Sequence, residues 1–283
     1  MTKKLTKRQE KAQAKTEAAK ALLVKGTQDL MNSDNYIAAL KFRRGFYNYS
    51  FRNFLLIRLQ LPTASMVASY NAWQDKGRQV IKGETGLSIL APRMVKNKDA
   101  KGDDDDKICI GYRTVSVFDI SQTEGDDIPT MPIPELLTGD SQDIQDAAAT
   151  LNEFAVSKGW TVSYTDLSEK GCRGYWSASE NLIAIDLNLE PAQQLKTLIH
   201  EIAHAMLGHG QDDDTTPRHI KELQAESTAF LVCDNIGLDT SSYSFSYLAG
   251  WADSPDEMLK ASNTADRIAQ QIIEVMRVAP VAV

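Results

Sequence analysis

Residues 191–209 read PAQQLKTLIHEIAHAMLGH, and this stretch decides how the C-terminal half of the chain folds. A proline at its start, apolar residues at helical spacing and a glycine near its end predict one amphipathic helix. On such a helix His200 and His204, four residues apart, lie on one face, close enough together to bind one zinc ion. Glu201 lies about 100° further round the turn, beside the coordination position that remains open.

The pattern His-Glu-x-x-His is typical of metallopeptidases. A catalytic zinc takes three protein ligands and leaves the fourth position for water. Zinc lowers the pKa of that water, and Glu201 takes its proton and returns it to the leaving amine. The motif therefore predicts zinc-dependent hydrolysis of peptide bonds, with His200 and His204 as two ligands and Glu201 as the catalytic acid and base.

The third ligand has to come from another segment. A metzincin would carry glycine at position 207 and histidine at position 210, whereas this chain has Leu207 and Gly210. The acidic loop at residues 212–214 is a second source, although aspartates in a polar loop usually form a solvated turn. The next predicted helix carries Glu222 and Glu226 on one face, and a gluzincin takes a glutamate ligand from such a helix. We predict Glu226 as the ligand, with Glu222 as the alternative or as a residue that orients a ligand histidine.

Residues 175–186 contain two short apolar runs separated by polar turn residues, which predicts a β-hairpin just before the zinc helix. Zinc peptidases usually bind their substrate as an added strand on such an edge. The motif does not identify the donor that would stabilise an oxyanion. Four side chains are candidates for that role: Tyr243, Tyr247, His209 and His219.

The composition indicates a soluble protein with room for two modest domains. The chain has 283 residues, of which 42% are hydrophobic. No segment approaches the roughly 18 consecutive apolar residues of a membrane span, and the lysine-rich N-terminus lacks the apolar core of a signal peptide. Three scattered cysteines, Cys109, Cys172 and Cys233, are typical of reduced thiols. We therefore predict a cytoplasmic protein without membrane contact.

The net charge of −7 hides an asymmetry along the chain. Residues 1–98 contain 19 Lys and Arg against 6 Asp and Glu, a net charge of +13, and the remainder contains 12 against 32, a net charge of −20. A basic module of this size indicates a polyanionic partner, which the acidic remainder would repel. The alternative is a pair of oppositely charged domains that attract each other. We predict that nucleic acid contacts the N-terminal part only.

The order of elements predicts an α+β protein of two domains. Residues 1–124 form the first domain, with 1–31 as a helical extension, and residues 125–139 form an acidic, proline-rich linker. Residues 140–283 form a zincin-like metallopeptidase domain. In the first domain the pattern predicts two helical segments and two strands, at residues 36–61, 65–76, 86–95 and 108–120. In the second it predicts a helix, a strand and a last helix around the zinc site, at residues 141–158, 160–164 and 255–277.

Aromatic and basic side chains interleave in the N-terminal domain. Proteins bind single strands with this mixture, because cationic groups contact phosphates and exposed rings stack on bases at about 1–3 kcal/mol each. Most of the rings must still form the core of the domain. The predicted contacts are Arg43, Arg44, Tyr47, Tyr49, Arg52, Trp73, Arg78 and Lys82.

The same region carries recognisable motifs in order. The segments Tyr49-Ser50-Phe51-Arg52-Asn53, Gln60-Leu61-Pro62 and Val117-Phe118-Asp119-Ile120-Ser121-Gln122-Thr123 resemble the N-terminal domain of ArdC-type antirestriction proteins, over residues 35–125. Gln224-Ala225-Glu226 and Tyr247-Leu248-Ala249-Gly250-Trp251 resemble later segments of that family. The hairpin and the HEIAH segment are similar to ImmA/IrrE regulatory peptidases as well.

The ArdC resemblance implies a single-stranded-DNA-binding domain joined to a gluzincin-like domain, carried by mobile elements such as plasmids or phages and protecting incoming DNA from host restriction. It implies His200, His204 and Glu226 as zinc ligands and Glu201 as acid and base. The protein substrate is unidentified, and a restriction component would fit this role.

Two other functions remain open. The chain could be a zinc protease of another pathway, either tethered to DNA or cleaving a repressor. It could also be a single-stranded-DNA-binding protein whose zinc site is structural.

Overall fold

The computed structural model describes residues 6–43, 46, 48–96, 107–128, 141–238, 240 and 252–278. The chain forms two compact units. The first comprises Met1–Asp29 and Phe51–Thr130, and the second comprises Leu30–Ser50 and Met131–Val283. Both units contain helices and strands, which confirms the predicted α+β class with two domains.

The helices and strands follow the predicted order with a few additions. In chain order they are α1 (Lys7–Asp29), α2 (Ser33–Arg43), α3 (Phe51–Gln60), β1 (Val67–Ala68), α4 (Tyr70–Asp75), β2 (Arg78–Val80), β3 (Leu87–Lys96), β4 (Lys107–Asp119), β5 (Thr123–Gly125), α5 (Gln142–Ser157), β6 (Thr161–Thr165), β7 (Gly174–Ser177), β8 (Leu182–Asp186), α6 (Pro191–Met206), α7 (Arg218–Asn235) and α8 (Pro255–Val278). Within the described part of the chain, none of these helices is long and apolar enough to span a bilayer.

The first unit is built on the long antiparallel pair of β3 and β4, to which β1 adds in the order β1-β4-β3. Helix α3 buries an apolar face that includes Phe51 and Phe54. Two side-chain amides on α3 also pair with the backbone of β3. Asn53 bonds both the N–H and the carbonyl of Leu90 at 2.9 Å, and Gln60 does the same for Ser88 at 2.8 and 3.0 Å. These paired bonds fix α3 along the strand.

The helix predicted at residues 65–76 is shorter in the structure. The buried carboxylate of Asp119 accepts hydrogen bonds from the backbone N–H groups of Ser65 and Met66, at 2.8 and 3.1 Å. This contact holds the segment extended, so that it continues as β1. Ser69 then caps the short helix α4 by accepting from the N–H of Ala72.

The second unit contains a three-stranded sheet in the order β6-β8-β7, in which β6 is parallel and β7 antiparallel to β8. The predicted hairpin is therefore confirmed as β7 and β8, turning at Asn181 with a φ of 48°. Helix α6 packs on these two strands, and α7 packs on α6 and α8. The buried apolar side chains of α6 include Leu195, Leu198, Ile199 and Ile202, and its two motif histidines are half-buried within 4 Å of carboxylates of α7.

The segment Leu30–Ser50 belongs to the second unit, whereas the sequence pattern predicts a first domain of residues 1–124 that includes it. Helix α2 packs against α7. The fully buried Tyr36 joins both C-terminal helices, because its hydroxyl lies 2.9 Å from Ser227 Oγ and 3.0 Å from Ser262 Oγ. A single boundary in the chain therefore does not describe the two units.

Candidate metal centre

Helix α6 places the two motif histidines side by side. The Nε2 atoms of His200 and His204 are 3.1 Å apart. Zinc lies about 2.0–2.1 Å from a histidine nitrogen, so this separation suits two ligands of one ion. A carboxylate oxygen of Glu222 on α7 completes a group of three ligand atoms that lie within 4.8 Å of one another. The arrangement provides two nitrogens and one oxygen for a divalent cation.

The two glutamates of α7 lie on opposite sides of His200. Glu222 Oε2 lies 3.5 Å from His200 Nε2 and 3.9 Å from His204 Nε2, on the side where the two histidines converge. Glu226 Oε2 lies 3.1 Å from His200 Nδ1, behind the ring, and Glu226 Oε1 pairs with Lys196 Nζ at 2.7 Å. Glu222 therefore lies on the side of the converging nitrogens, whereas Glu226 contacts the opposite side of the His200 ring.

The carboxylates give the site a negative potential. Burial by itself lowers the pKa of His200, but hydrogen bonds to Glu222 and Glu226 raise it to about 10. Burial together with the neighbouring His200 lowers the pKa of His204 to about 3. The site thus favours one positive charge between the rings and opposes a second proton. The same potential attracts a divalent cation.

Glu201 is only 7% exposed. Burial raises its pKa to about 7, with the carboxylate of Glu222 adding to the shift and His200 opposing it. The backbone N–H of Trp176 donates to its carboxylate. This N–H belongs to β7, which pairs with β8 alone among the described strands. Glu201 therefore lies beside the outer edge of the hairpin, with a pKa suited to taking up and releasing a proton near neutral pH.

His209 was predicted as a candidate oxyanion donor, but in the structure its ring lies against Nδ1 of His204, on the side away from His200. Its Nδ1 lies 2.8 Å from His204 Nδ1 and its Nε2 lies 3.1 Å from Gln224 Oε1. Both ring nitrogens are occupied behind His204, away from the converging Nε2 atoms. His219 lies at the start of α7 near two other acids, Asp253 and Glu257. The other candidates, Tyr243 and Tyr247, fall outside the described residues.

Among the described residues, the loop at 212–214 is not part of the group of possible ligands around His200. Asp214 accepts hydrogen bonds from the backbone N–H groups of Gly210 and Thr216, at 2.8 and 2.9 Å, and pairs with Lys221. Its carboxylate is used to fix the turn between α6 and α7. A bonded turn aspartate is the expected role for this residue type.

Two side chains predicted to contact DNA are buried. Arg43 is 3% exposed and donates to both carboxylate oxygens of Asp266, from Nε at 2.7 Å and from Nη2 at 3.0 Å. Trp73 is fully buried, and its indole N–H donates to the carbonyl of Phe118 at 2.9 Å. The predicted role is corrected for both, because these side chains stabilise their units from inside.

The remaining predicted DNA contacts differ in exposure. Lys82 is exposed. Arg78 is half-buried and donates to the hydroxyl and the carbonyl of Thr123, at 2.8 and 2.9 Å, which ties β2 to β5. Two more are half-buried, Tyr49 and Arg52, and two lie outside the described residues, Arg44 and Tyr47.

Sequence reasoning missed three side chains of the centre. Gln224 and Lys196 were not predicted as parts of the centre, and His209 was predicted only as a candidate oxyanion donor. A partial signal exists in the sequence, because His209 follows directly after the glycine that ends α6 and Gln224 lies between the two glutamates. The positions of His209 and Gln224 in the sequence do not predict which histidine ring nitrogen either side chain contacts.

Comparison with known proteins identifies two matching families. Residues 6–118 match the N-terminal domain of the anti-restriction factor ArdC, and residues 155–233 match the IrrE N-terminal-like domain of the M78 peptidases. An uncharacterized protein of Bacillus anthracis is 25% identical over an alignment 312 residues long, which includes 93% of this chain and 50% of the relative. The chain thus spans about half the length of the curated relative that it matches.

Two crystal structures of the antirestriction ArdC protein from plasmid R388 share the fold, one metal-free and one with Mn(II) bound. Each has a TM-score of 0.58 and 19% sequence identity to this chain. The match covers 90% and 91% of this chain and 97% and 99% of theirs, respectively.

Proposed function

The chain joins an ArdC-type N-terminal domain to an IrrE-like domain of the M78 peptidases, and on this premise we propose that it is an antirestriction protein of a mobile element. Its first unit binds single-stranded DNA, and its second unit hydrolyses peptide bonds at a divalent-metal centre. The observation that carries the enzymatic half is the convergence of His200, His204 and Glu222 next to the buried Glu201.

His200, His204 and Glu222 would hold the metal. A set of two imidazoles and one carboxylate suits zinc, and Mn(II) is the ion found in the R388 ArdC crystal structure. When bound, the ion polarises a carbonyl and acidifies a water molecule. Glu226 accepts a hydrogen bond from Nδ1 of His200, which leaves Nε2 as the nitrogen that would bind the ion once its proton is displaced.

Glu201 is the acid and base. Its carboxylate lies in an environment that raises the pKa to about 7, so it can take a proton at neutral pH and return it to a leaving amine. The edge of β7 lies beside it through the Trp176 N–H. A substrate segment in extended conformation would add to that edge and bring its backbone to the centre.

The DNA-binding half relies on the surface of the first unit. The two parts of that unit carry 19 Lys and Arg against 14 Asp and Glu, a net charge of +5, whereas the second unit carries 12 against 24, a net charge of −12. On the hairpin of β3 and β4, Tyr112 is 48% exposed. Arg113, which follows it in the chain, and Arg93, which follows its strand partner Pro92, are exposed as well. We assign these three residues and Lys82 as contacts for stacking and for phosphate.

The metal content of purified variants tests the enzymatic half. We expect the wild-type protein to hold close to one divalent ion per chain, Glu222→Gln to lose it, and Glu226→Gln to retain it with lower affinity. Glu274→Gln changes an exposed glutamate on α8 and serves as the matched control. Loss of the ion in Glu226→Gln with full retention in Glu222→Gln would reverse the assignment of the ligands.

Protection assays separate the enzyme from a protein that only coats strands. Unmodified plasmid DNA is transferred into a restricting host that expresses either the wild type or Glu201→Gln, which keeps the ligands and removes the base. Loss of protection in this variant supports proteolysis. Protection that survives assigns it to DNA binding, and Tyr112→Ala with Arg113→Ala should then abolish it.

A further inference from the structure

His209 is held in a fixed position just after α6. Gly208 and Gly210 on either side have φ angles of 70° and 81°, which a side-chain-bearing residue rarely adopts. The N–H of His209 donates to the carbonyl of His204 at 3.0 Å, and its own carbonyl accepts from the indole N–H of Trp176 at 3.0 Å. The residue is 4% exposed. Both backbone polar groups are therefore bonded, and the ring has little freedom to move.

The hydrogen-bond partners of the His209 ring determine which of its two nitrogens carries the hydrogen. Gln224 Oε1 is a carbonyl oxygen that can only accept, and it lies 3.1 Å from His209 Nε2, so this nitrogen carries the hydrogen. In a neutral imidazole the other nitrogen is then an acceptor. His209 Nδ1 lies 2.8 Å from His204 Nδ1, which must therefore donate. The Nε2 of His204, which faces His200 and Glu222, is left with a free lone pair.

We propose that His209, oriented by Gln224, is a positioning residue that holds His204 in the tautomer able to bind the metal. The inference rests on the proposed role of His204 as a ligand. It adds two positioning residues, His209 and Gln224, which would contact neither metal nor substrate.

The two ligand histidines are thus oriented in different ways. His200 donates from Nδ1 to the carboxylate of Glu226, whereas His204 donates to a neutral ring. Glu201, Glu222 and Glu226 already place three carboxylates around the histidines. A neutral acceptor orients His204 without adding a fourth negative charge to a buried site.

Metal affinity provides the first test. Loss of an outer partner of a ligand histidine typically weakens metal binding by about 10–100-fold. We expect this loss in His209→Leu, measured by competition for Zn(II) between the full-length protein and a chromophoric chelator. His209→Asn presents an amide oxygen close to the place of Nδ1 and should recover most of the affinity. Gln224→Leu should give a smaller loss, and Glu274→Gln, on an exposed glutamate of α8, should give none.

The tautomers provide a test that needs no metal. The chain has four histidines, so long-range ¹⁵N–¹H correlation spectra of histidine-labelled, metal-free protein can be assigned with single variants. We expect the hydrogen on Nδ1 of His204 and on Nε2 of His209, and a mixture of tautomers at His204 in His209→Leu. A hydrogen on Nε2 of His204 in the wild type, or unchanged tautomers in His209→Leu, would overturn the inference.

The two tests can refute the metal centre and the role of His209 independently of each other. If the wild type binds no Zn(II) while its tautomers are as expected, the proposed metal centre is wrong and the His209 contact stands. If Zn(II) binds and Glu222→Gln abolishes it, but His209→Leu binds as the wild type does, the centre stands and His209 has no positioning role.

Discussion

Replacing Arg43 with leucine should destabilise the second unit and leave DNA binding intact. The guanidinium is 3% exposed and forms two hydrogen bonds to Asp266, at 2.7 and 3.0 Å. A third bond, from Nη2 to the carbonyl of Tyr49, measures 2.6 Å. Removing the arginine leaves the carboxylate of Asp266 buried without its cation, and burial already raises the pKa of that group. The free carboxylate must either protonate or draw water into the core.

Breaking a buried ion pair on one side costs about 3–5 kcal/mol, because the remaining charge stays desolvated. We expect Arg43→Leu to lower the free energy of unfolding of the second unit by that amount, measured by urea denaturation. The double variant Arg43→Leu with Asp266→Leu should recover a large part of the loss, because it removes both charges. Under native conditions, affinity for single-stranded DNA should equal that of the wild type, since the side chain is inside the unit.

Arg267→Leu serves as a control, because it removes an exposed arginine from the same helix that carries Asp266. A surface substitution of this kind changes stability by less than about 0.5 kcal/mol. If Arg43→Leu unfolds like the control and instead weakens DNA binding, Arg43 behaves as a surface phosphate contact and the prediction is wrong.

Three further predictions concern other parts of the chain. Cys233 is fully buried and burial raises its thiol pKa, so a thiol reagent should modify the exposed Cys109 in the native protein and reach Cys233 only after denaturation. Asp119→Ala should destabilise the first unit by about 1–3 kcal/mol, seen by denaturation, because backbone N–H groups lose their buried acceptor. Tyr112→Ala should weaken single-strand affinity by about 1–3 kcal/mol in a polarisation assay, and an unchanged affinity would remove the hairpin from the DNA surface.

The elements that the sequence predicted well have strong local signals. The motif helix was expected from a proline at its start and a glycine after its end, and it runs from Pro191 to Met206. The last helix was expected at residues 255–277 and is found at Pro255–Val278. Both helices were predicted from the spacing of apolar residues within one segment, and such spacing can be observed directly in a sequence.

The errors arise where a distant residue competes with local preference. The segment before Ser69 was expected to be helical, but the carboxylate of Asp119, more than fifty residues away, takes its N–H groups. Arg43 and Trp73 were expected on the surface because they stand in a basic, aromatic stretch. Their partners, Asp266 and the carbonyl of Phe118, lie far along the chain, and only the folded units bring them together.

The sequence by itself determined the α+β class, the motif helix and the pairing of His200 with His204 on one face, because a helix repeats at a known interval. It also predicted the third ligand on a pair of glutamates four residues apart, with the acidic loop at residues 212–214 as another source. Only the tertiary structure gives the two glutamates different positions around His200, and our proposal of Glu222 as the ligand rests on that difference. The packing of α7 against α6 directs Glu222 towards the Nε2 side and Glu226 towards Nδ1 of His200. That choice depends on how two helices pack, and residue spacing within either helix carries no information about it.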